Sequence, residues 1–248
     1  MFDINTIPPI FIKEDDFGDI CVEKIKHKFF LYKNDKSLIK EYKLHPTLGK
    51  TKVQLMGYNT KNLREYKELY SSYDLAYGDV LLTGLGFGML ATWISSKPEV
   101  KSVTVLECSQ GTIDHFLQNN NLPKNMEIKL ANANEYKTNK HFDCILLDHV
   151  PEYTWKSNYD FYLNIARNIP NHNIFWFWPL EHWYICDYYG FKINDFYTNP
   201  PKLDNIDLYD KWQSFRDDLE IKTIPVLNKE KITEYIYTYF NYIAAIKY

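Results

Sequence analysis

The stretch "GDVLLTGLGFGMLATWISSKPEVKSVTVLECSQ", residues 78–110, decides the fold. Two apolar runs in it, "DVLLTG" (79–84) and "SVTVLE" (102–107), are short, β-branched and continuous. Runs of that kind read as strands buried on both faces. Between them "GMLATWISS" (88–96) reads as a helix. Three of the chain's nine glycines, Gly84, Gly86 and Gly88, fall within five positions after the first run, and the second run stops at a carboxylate, Glu107. Strand, glycine turn, helix and strand is the unit from which parallel sheets are wound.

The alternation continues downstream. "SQGTIDHFLQNN" (109–120) reads as a helix with Ser109 as its N-cap. "MEIKLAN" (126–132) and "FDCILLD" (142–148) are strands, "WKSNYDFYLNIARNI" (155–169) a helix and "NIFWFW" (173–178) a strand, followed by a helix around "LEHWYICDYY". "FKINDFY" (191–197) and "YFNYIAAIKY" (239–248) read as the last two strands. Upstream, Leu63, Tyr66, Leu69 and Tyr70 recur at helical spacing. The pattern predicts an α/β, doubly wound, seven-stranded, mostly parallel sheet over residues 61–248. Residues 198–235, mixed and containing prolines, read as an insertion, a lid or a homodimer contact. Within residues 1–60, short β-branched and aromatic runs broken at "KNDKS" and "HPTLGK" predict a small antiparallel β unit.

Composition narrows the function classes. Of the 248 residues, 45% are apolar and 25% charged, the profile of a globular chain, and the formal charge is −3. No block of like charge suits a phosphate backbone, so nucleic acid is a disfavoured partner. Cys21, Cys108, Cys144 and Cys186 form no CxxC pair, so no metal is expected and reduced, buried thiols are. No run approaches a membrane span, and "MFDINTIPPIFIKEDD" lacks the layout of a signal peptide. The expectation is a cytoplasmic protein with no membrane contact.

In a doubly wound sheet, ligands bind beyond the carboxyl ends of the strands. Glycines there let the backbone come close to a ligand, and a carboxylate at the tip of the second strand can accept from two ribose hydroxyls. Glu107 follows Gly86 by 21 positions, near the roughly 20 expected of such an acid. The dinucleotide fingerprint is G-x-G-x-x-G or G-x-G-x-x-A. Here Met89 holds its last position and the third glycine falls one residue early, which disfavours a nicotinamide oxidoreductase.

G-x-G-x-G after the first strand, an acid ending the second and "FDCILLD" as the fourth resemble the S-adenosylmethionine-dependent methyltransferases with a Rossmann-like fold. The resemblance covers roughly residues 61–197. It implies that Gly84, Gly86 and Gly88 lie along the methionine part and ribose of S-adenosyl-L-methionine, and that Glu107 holds the ribose hydroxyls. "LANANEY" resembles the G-D-A-x-E-Y segment of polyamine synthases, whose Asp takes a bond from the adenine amino group. Asn132 stands in that place, and its amide oxygen can accept the same bond.

Two strand ends remain to supply chemistry. "LLDHVPEYTW" carries Asp148, His149, Pro151, Tyr153 and Trp155; "WFWPLEHW" carries Trp176, Trp178, Glu181 and His182. Asp148 and His149 are the candidate bases for deprotonating a small-molecule acceptor, and Asp148 is also counted among the cofactor contacts. Trp176 and Trp178 share one sheet face and read first as core. The N/D-P-P-Y/F motif of amino-methylating nucleic-acid enzymes is absent, with "DHVPEY" in its place, and no Pro-Cys pair suggests cytosine methylation. The N-terminal β unit and "LANANEY" also resemble the aminopropyltransferases, which use decarboxylated S-adenosylmethionine. Their G-G-G-x-G loop and D-S-S-D-P stretch are replaced here by "TGLGFG" and "DHVP". The expected activity is therefore methyl transfer, with aminopropyl transfer and non-catalytic S-adenosylmethionine binding as the alternatives.

Overall fold

A computed structural model of the chain describes residues 3–33, 53–59, 64–149, 155–189 and 208–244. The N-terminal unit is an antiparallel sheet of β1 (Asp15–Asp16), β2 (Ile20–Ile25), β3 (Lys28–Lys33) and β4 (Val53–Asn59), paired in that order. Ile20, Val22 and Leu31 point one way along it and join the core of the larger unit.

Two short helices, α1 (Arg64–Glu68) and α2 (Tyr70–Leu75), lead into that unit. It then alternates through β5 (Gly78–Thr83), α3 (Met89–Ser95), β6 (Val100–Glu107), α4 (Gln110–Asn119), β7 (Met126–Leu130), β8 (Phe142–Leu147), α5 (Trp155–Asn168), β9 (His172–Phe177) and α6 (Leu180–Tyr189). The five strands are parallel, in the order β7-β6-β5-β8-β9. The order reverses on either side of β5, which puts the switch point of the sheet at the end of the first strand, where the glycines lie. Val80, Leu81 and Leu82 of β5 are fully buried, as are Cys144 to Leu146 of β8, because helices cover both faces. Ser109 caps α4 as its residue type predicts, its Oγ accepting from the Thr112 amide at 3.0 Å.

The C-terminal part departs from expectation. The described residues hold five parallel strands rather than seven. "FKINDFY" lies outside the described residues. Residues 239–244 of "YFNYIAAIKY" are helical, within α8 (Lys229–Ala244), which follows α7 (Leu208–Asp218). The aromatic and β-branched residues there suggested a strand, but Ile232, Tyr235, Ile236 and Tyr239 sit at i, i+3, i+4 and i+7, and all four are buried. That is one face of a helix. Of residues 198–235, read from the sequence as an insertion, the described part from 208 on supplies Trp212, Ile224, Ile232 and Tyr235 to the common core. Trp212 and Tyr235 both pack against Trp176 of β9, each with ring centroids 6.0 Å away.

No two cysteines are joined in a disulfide; Cys21 and Cys144 are buried, Cys186 is half-buried and Cys108, just past β6, is exposed. Among the described residues no helix is long and apolar enough to cross a membrane.

Candidate cofactor and active site

The glycine turn begins where β5 ends. The Gly84 amide donates to the Leu106 carbonyl at 2.9 Å, which extends the β5–β6 pairing one residue past the strand. Gly84, Gly86 and Gly88 all have left-handed backbones, at φ of 83°, 52° and 79°, a region that residues with a Cβ enter at a cost. Their surroundings differ. A Cβ on Gly84 would stand 2.7 Å from the Asp148 carbonyl oxygen. One on Gly88 would overlap the Phe116 ring at Cδ2 and Cε2, and Phe116 is fully buried. Two of the three glycines are thus required by packing within the chain itself. At Gly86 the nearest atom is the Met56 Sδ, 2.8 Å from the ideal Cβ position. Gly86 alone faces the end of a movable side chain.

Glu107 closes the turn from the neighbouring strand. It is nearly buried, at 9% exposure. Oε2 accepts from the Leu85 amide at 2.9 Å and Oε1 from the Ser109 amide at 2.8 Å. The carboxylate therefore ties the glycine turn to the start of α4, and each oxygen keeps a further lone pair. Ser109 Oγ in turn donates to Asp19 Oδ2 at 2.7 Å, and the Gly111 amide donates to Asp19 Oδ1 at 3.1 Å. Asp19 comes from the N-terminal unit. Nothing in its sequence context marked it, since the contact joins residues 90 or more positions apart.

Asn132 lies beyond β7 and is exposed. Its Oδ1 accepts from the Asn134 amide at 3.0 Å, its Nδ2 donates to Glu135 Oε1 at 3.1 Å, and its carbonyl takes the Glu135 and Tyr136 amides. This is an Asx turn, which by itself accounts for the residue type.

Asp148 and His149 follow β8 directly, so the parallel register sets them beside Gly84. The Asp148 amide donates to the Thr83 carbonyl at 3.0 Å. Both residues retain some accessible surface but are crowded on most sides. Desolvation pushes the Asp148 carboxyl well above the ordinary carboxylate range, and the nearby Glu68 of α1 pushes it further. Its side chain makes no hydrogen bond among the described residues. His149 Nδ1 is hydrogen-bonded to Thr83 Oγ1 at 2.5 Å, and the ring stands edge-on to Phe161 with centroids 5.0 Å apart. Burial pushes its pKa down to about 4, so the imidazole is neutral at pH 7. Tyr162 on α5 fixes the loop by donating to the His149 and Trp178 carbonyls at 2.9 and 3.2 Å. Thr83 had one sequence signal, as the single polar residue ending an apolar strand before a glycine. Tyr162 and Glu68 had none.

Trp176 is fully buried and donates to Ser71 Oγ at 3.1 Å, a core role as its strand position suggests. Trp178 is half-buried, and its indole Nε1 is buried without a hydrogen-bond partner among the described residues. Glu181, at the start of α6, is buried, and desolvation pushes its pKa up to about 7 against hydrogen bonds from Ser71 and Trp176. Pro151 and Tyr153 lie outside the described residues.

No family model matches the sequence, and no curated protein matches it. Solved structures similar to part of the fold include the N-methyltransferase NodS from Bradyrhizobium japonicum WM9. It is 18% identical over 43% of this chain and 58% of that one, with a TM-score of 0.33, and it has also been solved in complex with S-adenosyl-L-homocysteine. Phosphoethanolamine N-methyltransferase 1 from Haemonchus contortus is 18% identical over 44% of this chain and 24% of that one, with a TM-score of 0.36. Spermidine synthase from Thermotoga maritima is 16% identical over 60% of this chain and 51% of that one, also with a TM-score of 0.36. The matched region spans between a quarter and about three fifths of these proteins.

Proposed function

We propose that the chain is an S-adenosyl-L-methionine-dependent methyltransferase acting on a small-molecule acceptor. One observation carries the reading: at the switch point of a parallel sheet, a left-handed glycine turn is hydrogen-bonded through the Leu85 amide to Glu107, the acid ending the adjacent strand. A ligand with a ribose and a slender tail suits that pairing, because Glu107 has free lone pairs for hydroxyls while the turn stays low at Gly86. The donor set fits the cofactor, with Gly84, Gly86 and Gly88 lining its tail, Glu107 accepting from its ribose and Asn132 and Asp148 at the edge of the site. The cofactor supplies an activated methyl group, and the protein supplies position.

Asp148 is the stronger candidate base of the pair. A carboxyl whose pKa is raised by desolvation is a stronger base once ionised, whereas a His149 pushed down to about 4 orients the loop through Thr83. The test is calorimetric titration of the full chain with S-adenosylmethionine, S-adenosylhomocysteine, decarboxylated S-adenosylmethionine, methylthioadenosine and NAD. Binding of the first two is expected. Preference for the decarboxylated compound would replace methyl with aminopropyl transfer, and binding of none would refute the reading.

A further inference from the structure

The N-terminal sheet touches the glycine site at two places, on either side of Glu107. Asp19, in the turn before β2, holds Ser109 Oγ and the Gly111 amide at the start of α4. Met56, in the middle of β4, places its thioether over Gly86. The two contacts belong to one body, since β2 pairs with β3 and Leu31 of β3 pairs with Met56. They differ in kind. The Asp19 contact is a pair of hydrogen bonds to a carboxylate at a helix start, which is strong and directional. The Met56 contact is dispersion from an unbranched, adaptable side chain that is only half-buried. With Sδ 2.8 Å from the Cβ position of Gly86, no ligand atom fits between them.

We infer that Met56 is a plug: its methionine side chain occupies the place over Gly86 where the functional reading above, on which this inference rests, puts the methionine tail of the ligand. The N-terminal sheet stays docked through Asp19 and through Ile20, Val22 and Leu31 in the core, and the flexible Met56 side chain alone is the gate. Ligand entry swings the Met56 thioether out while the Asp19 bonds to α4 hold, so the empty site is sealed by a side chain chemically like the tail it excludes.

Limited peroxide oxidation of the wild-type chain, read by peptide mass spectrometry, tests this directly. Met89 and Met126 are buried and serve as internal controls. Saturating S-adenosylhomocysteine is expected to speed oxidation of Met56 and leave the controls unchanged; an unchanged or slower Met56 rate, with binding confirmed by calorimetry, overturns the plug. Met56→Ala is expected to bind S-adenosylhomocysteine about fivefold more tightly, the equivalent of releasing a half-buried side chain. Equal or weaker binding also overturns it. If no nucleoside binds at all, the functional reading fails. The plug is then judged alone by hydrogen exchange, where the amides of residues 85–88 must exchange faster in Met56→Ala than in wild type, and equal rates refute it.

Discussion

Gly88→Ala separates the two reasons a glycine can stand in this turn. If Gly88 makes room for a ligand, a methyl group there costs binding and leaves folding alone. The structure says otherwise, because the methyl group would meet the ring of the fully buried Phe116. Holding alanine at φ 79° costs about 1 kcal/mol, and forcing the Phe116 ring aside adds about 2 kcal/mol of overpacking. The sum, about 3 kcal/mol, corresponds to a fall in Tm of about 6–12 °C for a domain of this size. Urea and thermal unfolding of the purified variant measure it. Phe116→Leu in the Gly88→Ala background should recover about 1–2 kcal/mol relative to the sum of the single changes, since the two side chains share one space. A Gly88→Ala protein within a degree of wild type, or a double mutant that is simply additive, would show that Phe116 does not fill the space under the turn.

Three further outcomes are expected. Glu107→Ala should lower stability by about 3 kcal/mol, from two charge-assisted bonds of about 1.5 kcal/mol each, and should also weaken S-adenosylhomocysteine binding. Urea midpoints and calorimetry on one preparation separate the two effects. Glu181 is pushed up to about 7 in the fold from 4.5, so the native state holds its proton where the unfolded chain has lost it. Stability should therefore fall between about pH 4.5 and 7 and level off above, by about 3 kcal/mol, and Glu181→Gln should flatten that part of the curve. Asp148→Asn removes a desolvated carboxyl next to Glu68. It should raise Tm most at the high-pH end, where the wild-type carboxyl is ionised, while abolishing transfer from S-adenosylmethionine to any acceptor the wild type uses; retained turnover would exclude Asp148 as the base.

At several places local chemistry allowed more than one reading. "YFNYIAAIKY" is rich in strand formers, and only the helix that runs into it, burying Ile232, Tyr235, Ile236 and the segment's own Tyr239 on one face, shows the helical period. Asn132, read from the sequence as an adenine contact, makes an Asx turn through its bonds to Asn134 and Glu135 in the chain as it stands. His149 carried the residue type of a base, but its ionisation depends on Phe161, Tyr162 and Thr83 packing around it, which no spacing along the chain announces.

What the sequence determined by itself is what depends on near neighbours. Continuous apolar runs, a capped helix after Ser109 and three glycines between strand and helix follow from periods of a few residues, and from them came the parallel sheet, the glycine turn at its switch point and Glu107 at the tip of the next strand. The tertiary structure decided what depends on residues far apart: that Phe116 lies beneath Gly88, that burial, with Glu68 nearby, raises the Asp148 carboxyl, and that Met56 and Asp19 bring the N-terminal sheet down on the glycine turn. Burial and steric exclusion act through space, and a side chain's charge and access are set by whichever distant residues fold against it.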